Sequence, residues 1–305
     1  MLKTNKDRLI IQEVLGRISH PLGSGSPSST NYVTTWDGKP KFGIGSGGIK
    51  YNVKVGDSCF GWPEAEYLEP GVSLIGVEEG RGTAAGGRAA GPATGLYALS
   101  CVGNEVQVLG GDGKGAKGVV TGKAGYTGGQ HVITHFADED LLKLGIGDQI
   151  RVRAEGVGLK IEGFDGALFS MAPSFLESLG LELANGELVV PVALEVPAYA
   201  MGSGSGGSPG LTGHMCIQSN PPELVKELGL EGLRMGDLVA CRDILMHYGK
   251  GYYRGAVTVG VVAFGASDQA GHGPGVFAIA SSKKGKIRPR LDPEANVAKF
   301  LGLKR

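Results

Sequence analysis

The sequence lacks several features that would assign it quickly to a class of protein. Its 30 Lys and Arg residues balance 30 Asp and Glu residues, so the chain as a whole does not attract nucleic acid or an anionic membrane. No apolar run reaches the roughly 18 residues of a transmembrane helix. Near the N-terminus the apolar run Leu9–Ile11 is too short for a signal peptide. We therefore expect a cytoplasmic protein that binds neither nucleic acid nor membrane.

Cysteine is scarce, and its spacing excludes two kinds of site. The chain has four cysteines, Cys59, Cys101, Cys216 and Cys241, and no Cys-x-x-Cys pair. A chain of 305 residues also has enough apolar residues to form a core without disulfides. We expect four buried, reduced thiols rather than a disulfide framework or a cysteine-based metal site.

Glycine, by contrast, is abundant. The chain has 55 glycines, about two and a half times the usual share of ~7%. They follow no Gly-X-Y repeat, which excludes collagen, and they alternate with Val- and Ile-rich runs, which excludes general disorder. This composition predicts many tight turns joining short strands.

The pattern of elements favours a mainly β fold. Four short helices are predicted by Pro or acidic residues at the start, Leu at helical spacing and Gly at the end: Asp138–Leu144, Pro173–Leu179, Pro222–Leu228 and Pro293–Leu301. Strands are predicted at Ile49–Val53, Val106–Leu109, Gly118–Thr121, His131–Phe136, Ile150–Ala154, Leu188–Val192, Leu238–Cys241, Val257–Phe264 and Val276–Ser281. The helices are too short for βαβ repeats, so we predict a barrel-like or sandwich-like β structure with a few capping helices. An α+β arrangement is the alternative.

A glycine cluster at residues 122–129 suggests a domain boundary. It would divide the chain into an N-terminal β-rich domain, residues 1–125, and a C-terminal barrel-like domain, residues 126–305. The second domain would carry the site.

One candidate ligand site is the glycine-rich loop Gly80–Gly95. Free backbone amides around Gly86 and Gly87 could hold an anion, and Arg81 and Arg88 could pair with a carboxylate or phosphate. The loop has neither the Gly-Lys-Ser/Thr ending of a P-loop nor a dinucleotide-binding spacing. The alternative is a surface loop at a subunit contact, which would make the protein a homo-oligomer.

A second candidate is His131, which follows two glycines. His135 lies four residues further along the same predicted strand, about 13 Å away, which is too far for a shared metal unless the strand bends. His131 alone is the better candidate for proton transfer or ligand binding. An exposed histidine without a function is the alternative.

The third candidate group lies at the two ends of the strand Val257–Phe264. Arg242, Asp243 and His247 precede the strand, and Ser267, Asp268 and His272 follow it. If the flanking loops fold back to one end, an Asp could orient an imidazole while Arg242 binds the ligand. The alternative is that Gly271–Gly275 simply forms a tight turn. A further stretch, Met201–Gly210, has the composition of a mobile linker or of a lid over a site.

The chain resembles a family known as domain of unknown function 4438. The resemblance is carried by Tyr248–Val276, with further similarity at Gly56–Trp62, Leu68–Ser73, Gly128–Phe136 and Leu144–Lys160 and at Ala200–Gly204. It implies an N-terminal and a C-terminal family domain and no particular activity. Acidic residues of the family are missing around Gly213–Cys216. Gly128–His131 followed by Leu144–Asp148 is also similar to acetamidases and formamidases, which implies amide hydrolysis, although their acidic-histidine signature is missing.

Two functions from different classes follow. The first is an enzyme acting on a small polar molecule, for example in C–N bond hydrolysis, with His272, Asp268, His131, Asp243 and His247 as acid–base residues or ligands of a divalent metal. The second is a protein that binds or senses a small anion without catalysis. A structural oligomer is a third alternative.

Overall fold

The computed structural model describes residues 2–22, 32–77, 92–126, 129–204 and 210–303. Its elements are short strands with a few shorter helices, which confirms the predicted mainly β class. The strands are β1 (Gln12–Ile18), β2 (Pro21–Leu22), β3 (Val33–Thr34), β4 (Pro40–Lys41), β5 (Ser46–Gly47), β6 (Val72–Gly76), β7 (Glu105–Val108), β8 (Lys117–Tyr126), β9 (Gly129–Phe136), β10 (Gln149–Ala154), β11 (Ala167–Leu168), β12 (Glu182–Ala184), β13 (Glu187–Val192), β14 (Leu194–Val196), β15 (His214–Cys216), β16 (Leu238–Leu245), β17 (Gly251–Phe264), β18 (Gly275–Ser282) and β19 (Ile287–Leu291).

The four predicted helices are present and mostly shorter than expected, and Pro92–Leu99 is a helix that was not predicted. The helices are α1 (Pro92–Leu99), α2 (Asp138–Leu141), α3 (Pro173–Ser178), α4 (Pro222–Leu228) and α5 (Val297–Phe300), with one-turn 3-10 helices at Lys6–Arg8, Ala198–Ala200 and Leu230–Gly232. Within the described ranges, no helix has both the length and the apolar character needed to cross a membrane.

Six strands form a closed antiparallel barrel in the order β1-β10-β7-β8-β9-β6. Strand β10 alternates between exposed and buried residues, so Ile150 and Val152 point into the barrel. Val72 and Leu74 of β6 and Leu96 of α1 belong to the same interior cluster. The barrel interior is therefore a packed apolar core.

A second sheet, in the order β11-β18-β17-β16-β14 with β15 paired to β18, packs beside the barrel. Its central strands are buried on both faces because one face contacts the barrel and the other contacts the α4 region. Ala263 and Phe277 belong to a core cluster with Ala124 of β8. Val262 and Val276 belong to a separate cluster with Met235. This explains the unbroken apolar runs in the sequence.

Three smaller sheets complete the fold. Strands β12, β13 and β19 form one sheet in which β13 and β19 run parallel, and β2–β5 and β3–β4 form two-stranded sheets. The predicted strand Ile49–Val53 is wrong, because only Ile49 forms a bridge there, to Val72. Strands β1 and β6 and helix α1 are not among the predicted elements. All four cysteines are free and buried.

The expected domain boundary between residues 125 and 126 lies inside one hairpin. Strands β8 and β9 pair from Gly118–Phe136 to Tyr126–Gly129, and both belong to the barrel. Backbone pairing therefore continues across the expected boundary.

Candidate functional site

His131 lies in a buried hydrogen-bonded pair with Glu69. His131 Nδ1 is 2.9 Å from Glu69 Oε1 and 3.0 Å from Oε2, and both side chains are almost completely buried. The chain places Glu69 there because Gly71 passes so close to β9 that a β-carbon would lie 2.6 Å from the Thr134 carbonyl oxygen. We call Glu69 and His131 the Glu–His pair.

The carboxylate of Glu69 also accepts hydrogen bonds from its surroundings. The Gly47 amide donates to Oε2 at 3.0 Å, Ser46 Oγ lies 3.4 Å from Oε1, and Ser73 Oγ donates to Oε2 at 2.5 Å. Lys50 Nζ in turn donates to Ser73 Oγ at 3.0 Å. These donors hold the carboxylate in one orientation, and with it the imidazole.

Two groups at the pair, Glu69 and Lys50, have lowered pKa values for different reasons. Burial opposes ionisation of Glu69, but His131, Lys50 and the hydrogen bonds outweigh it and lower the Glu69 pKa to about 2. Burial lowers the pKa of Lys50 to about 8, although Glu69 acts in the opposite direction. Glu69 is therefore ionised at neutral pH.

A second buried polar group lies at the same part of the barrel. Lys123 of β8 and Tyr97 of α1 are each 1% exposed, and the Lys123 ammonium lies 5.3 Å from the centre of the Tyr97 ring. Lys123 Nζ donates to the Leu211 carbonyl oxygen at 3.1 Å. Burial lowers the Lys123 pKa to about 8 and raises that of Tyr97. The charge of Glu69 also raises the Tyr97 pKa, which couples the two buried groups electrostatically.

His214 of β15 connects this region to the loop that carries His272. The His214 pKa is lowered to about 4, mainly by burial and also by His272 and Lys250. A hydrogen bond to the Gly125 backbone and the charge of Glu69 act in the opposite direction. His214 is therefore a neutral imidazole at neutral pH.

Contacts between aromatic rings link His214 to His272. The His214 ring packs edge-on against Phe264 at 5.3 Å, and Tyr67 packs edge-on against both Phe264 at 5.6 Å and His272 at 5.8 Å. The predicted His272 thus connects to His214 through three ring contacts.

Asp268 does not pair with His272, contrary to expectation. His272 Nδ1 lies 3.0 Å from the Ala270 carbonyl oxygen, whereas the Asp268 carboxylate accepts from Lys41 at 2.7 Å. Ser267 donates to Glu66 at 2.6 Å. The carboxylate–imidazole pair forms between Glu69 and His131 instead.

The residues predicted at the start of β17 have partners of their own. Asp243 lies in a β-bulge with a φ of 58° and accepts from the Gly255 amide at 2.6 Å. Arg242 pairs with Glu195. His247 packs edge-on against Phe169 at 6.0 Å. None of these contacts involves His272.

Other predicted residues cannot be placed or do not meet. Arg81, Gly86, Gly87 and Arg88 lie outside the described residues, as do positions 205–209 of the predicted linker. His135 is half-buried, and its pKa is lowered by burial and by Lys54. In the described part of the chain, no three His, Cys, Asp or Glu side chains are grouped as a metal site would require.

Glu69, Lys123, Tyr97 and Lys50 were not among the predicted site residues. A signal for Lys123 exists in the sequence, since it is a charged residue within the β-rich run Gly118–Tyr126. Glu69 is 62 residues from His131 along the chain, and no local pattern connects them.

The chain matches the two models of one protein family along most of its length. Residues 32–177 match the N-terminal domain, and residues 178–301 the C-terminal domain, of domain of unknown function 4438. The chain is also similar to the solved crystal structure of TM1086, with 40% sequence identity and a TM-score of 0.85 over 98% of this chain and 99% of that one. None of the curated proteins compared with the chain matches it.

Proposed function

Since the chain belongs to the family described as domain of unknown function 4438, whose description states no activity, we propose its function from the site itself. The protein is an enzyme that acts on a small polar molecule by general acid–base catalysis at the Glu–His pair. The observation that supports this proposal is the contact of His131 Nδ1 with both carboxylate oxygens of Glu69, at 2.9 and 3.0 Å.

The pair has the arrangement that makes an imidazole an effective base. A carboxylate that accepts from Nδ1–H fixes the tautomer in which Nε2 carries the lone pair. It also stabilises the imidazolium that forms when Nε2 takes up a proton. Since Glu69 has a pKa of about 2, it is ionised at neutral pH.

Hydrolysis of a C–N bond is the reaction class that we propose for this pair. His131 would take a proton from water as the oxygen attacks the carbonyl carbon. The imidazolium would then return the proton to the departing nitrogen as the C–N bond breaks. The same base could act in other proton transfers. Identification of the product that the enzyme forms therefore decides the reaction class.

The test is turnover of amides and related small polar compounds, detected by mass spectrometry. We expect wild type to convert at least one compound, and His131→Asn and Glu69→Gln to lose about 10²–10⁴-fold in kcat. His135→Asn is the matched control, because His135 lies on the same strand outside the pair. Full turnover by His131→Asn would refute the proposal.

Binding without catalysis is the second candidate, and the buried Lys123 favours it. A compound that raises the melting temperature of the protein but is recovered unchanged, under conditions where no compound is converted, would support this function instead.

A further inference from the structure

Lys123 is a buried cation without a carboxylate partner among the described residues. Its ammonium group donates a hydrogen bond to the Leu211 carbonyl oxygen and lies over the face of the Tyr97 ring. An ammonium group can donate three hydrogen bonds, and a buried charge is costly unless it is paired. The site therefore provides positive charge that no described side chain neutralises.

The hydroxyl of Tyr97 is the second buried polar group whose hydrogen-bonding capacity is not satisfied. Tyr97 Oη is buried and has no hydrogen-bond partner in the described part of the protein. A β-carbon at Gly125 would lie 2.5 Å from this oxygen and 3.5 Å from the Thr212 carbonyl oxygen. Glycine at position 125 is thus what allows the hydroxyl to lie against β8.

We propose that Lys123 and Tyr97 form a binding site for an anionic group, a carboxylate or a phosphate. An anion would accept hydrogen bonds from both the ammonium and the phenol, which are both donors. It would also supply the counter-charge that the buried ammonium lacks.

The surroundings of Lys123 make anion binding measurable through protons. Burial lowers the Lys123 pKa to about 8, and a bound anion would raise it again. The titratable groups that face Lys123 are Tyr97 of α1 and Cys101, which follows α1. Both stay neutral near pH 8, because burial raises the Cys101 pKa to about 11 and also raises that of Tyr97. Proton uptake on binding near pH 8 would therefore report on Lys123.

The experiment is calorimetric titration of the full chain with acetate and with inorganic phosphate near pH 8, in two buffers of different ionisation enthalpy. We expect wild type to bind at least one anion with proton uptake. Lys123→Met should weaken binding about tenfold or more and abolish the uptake, and Tyr97→Phe should weaken binding less. Lys117→Met, an exposed position on the same strand, is the matched control and should bind like wild type.

Two outcomes would overturn the assignment: wild type that binds neither anion, or Lys123→Met that binds as tightly as wild type with the same proton uptake. If Lys123→Met does not fold, Tyr97→Phe decides the question. His131→Asn separates this inference from the proposed function, because it should lose turnover and keep anion binding. Loss of anion affinity in Lys123→Met together with unchanged turnover by His131→Asn would leave the anion site standing and refute the catalytic role.

Discussion

Lys123 illustrates how a single buried residue can oppose the stability of the fold. Its side chain is 1% exposed, and its pKa of about 8 lies below the ordinary value of 10.5. The folded state therefore holds the proton less tightly than the unfolded chain does. The buried ammonium of Lys123 therefore destabilises the folded state, and the whole effect is present below pH 8. The effect disappears as the pH rises towards 10.5.

We therefore predict that Lys123→Met stabilises the protein at neutral pH. The shift corresponds to up to about 3 kcal/mol, partly offset by the lost hydrogen bond to Leu211. Thermal and urea unfolding of both proteins from pH 7 to 10.5 would measure the difference, which should shrink as the pH rises. A variant that is less stable than wild type throughout this range would contradict the prediction.

Ionised Glu69 stabilises the folded state, whereas the buried charge of Lys123 destabilises it. The folded pKa of Glu69, about 2, lies below its ordinary value of 4.5, so its contribution to stability is complete above pH 4.5 and is lost as the pH falls towards 2.

Glu69→Gln should therefore lower the free energy of unfolding at pH 7 by about 1–3 kcal/mol, since the variant lacks the charge that pairs with His131 and Lys50. The difference from wild type should narrow between pH 4.5 and 2, as followed by urea unfolding at each pH. A difference that does not vary with pH would mean that the charge of Glu69 does not carry the effect.

At the scale of elements, the hairpin β16–β17 shows how a residue that resembles a catalytic acid can be structural. Asp243 adopts a left-handed backbone conformation, with φ at 58°, in the bulge between Arg242 and Ile244. Its side chain accepts from the Gly255 amide, which fixes the bulge.

Substitutions at position 243 should separate the effect of the left-handed backbone conformation from that of the hydrogen bond to the Gly255 amide. Asp243→Ala loses the hydrogen bond and keeps the strained conformation, so we expect about 1–2 kcal/mol of destabilisation. Asp243→Gly loses only the hydrogen bond and should be less destabilised, while Asp243→Asn should resemble wild type. Calorimetric unfolding measures the order, and turnover should be unchanged in Asp243→Asn. A large loss of turnover in that variant would instead support a catalytic role.

The elements that the sequence predicted are those with strong local signals. Helix α4 begins and ends as predicted because Pro222 starts it and Gly229, in a left-handed conformation, ends it. The buried strands β17 and β18 were predicted from their apolar runs. Strand β1 and helix α1 were missed because their sequences, QEVLGRI and PATGLYAL, have weak periodicity and are placed by long-range contacts.

Contacts between residues far apart in sequence also limited the prediction of the site. His131 was predicted as a proton-transfer residue from its own chemistry and its neighbouring glycines. Its carboxylate partner could not be predicted, because closure of the barrel brings β6 and the preceding Glu69 beside β9. Asp268 and Asp243 were nearer to candidate histidines in sequence, but each has another partner in the fold.

At the scale of the whole molecule, the barrel and the second sheet share one core. Gly122 of β8 lies against this contact, where a β-carbon would be 3.3 Å from the Ala263 β-carbon and 3.5 Å from the Phe277 ring. Since the two sheets bury apolar residues against each other, we expect them to unfold together.

Gly122→Leu should therefore destabilise the whole protein by about 1–3 kcal/mol, because the larger side chain forces the sheets apart. We expect one calorimetric transition at a lower temperature, whereas Gly110→Leu, at a position with no atom within 4 Å of a β-carbon, should unfold like wild type. Two separate transitions in Gly122→Leu, one of them unshifted, would show that the sheets unfold independently.

The account as a whole depends on the base formed by Glu69 and His131. The most direct test is kcat of His131→Asn, measured beside His135→Asn on the same converted compound. The account predicts a loss of about 10²–10⁴-fold in His131→Asn and wild-type turnover in His135→Asn. Equal turnover in the two variants would contradict it.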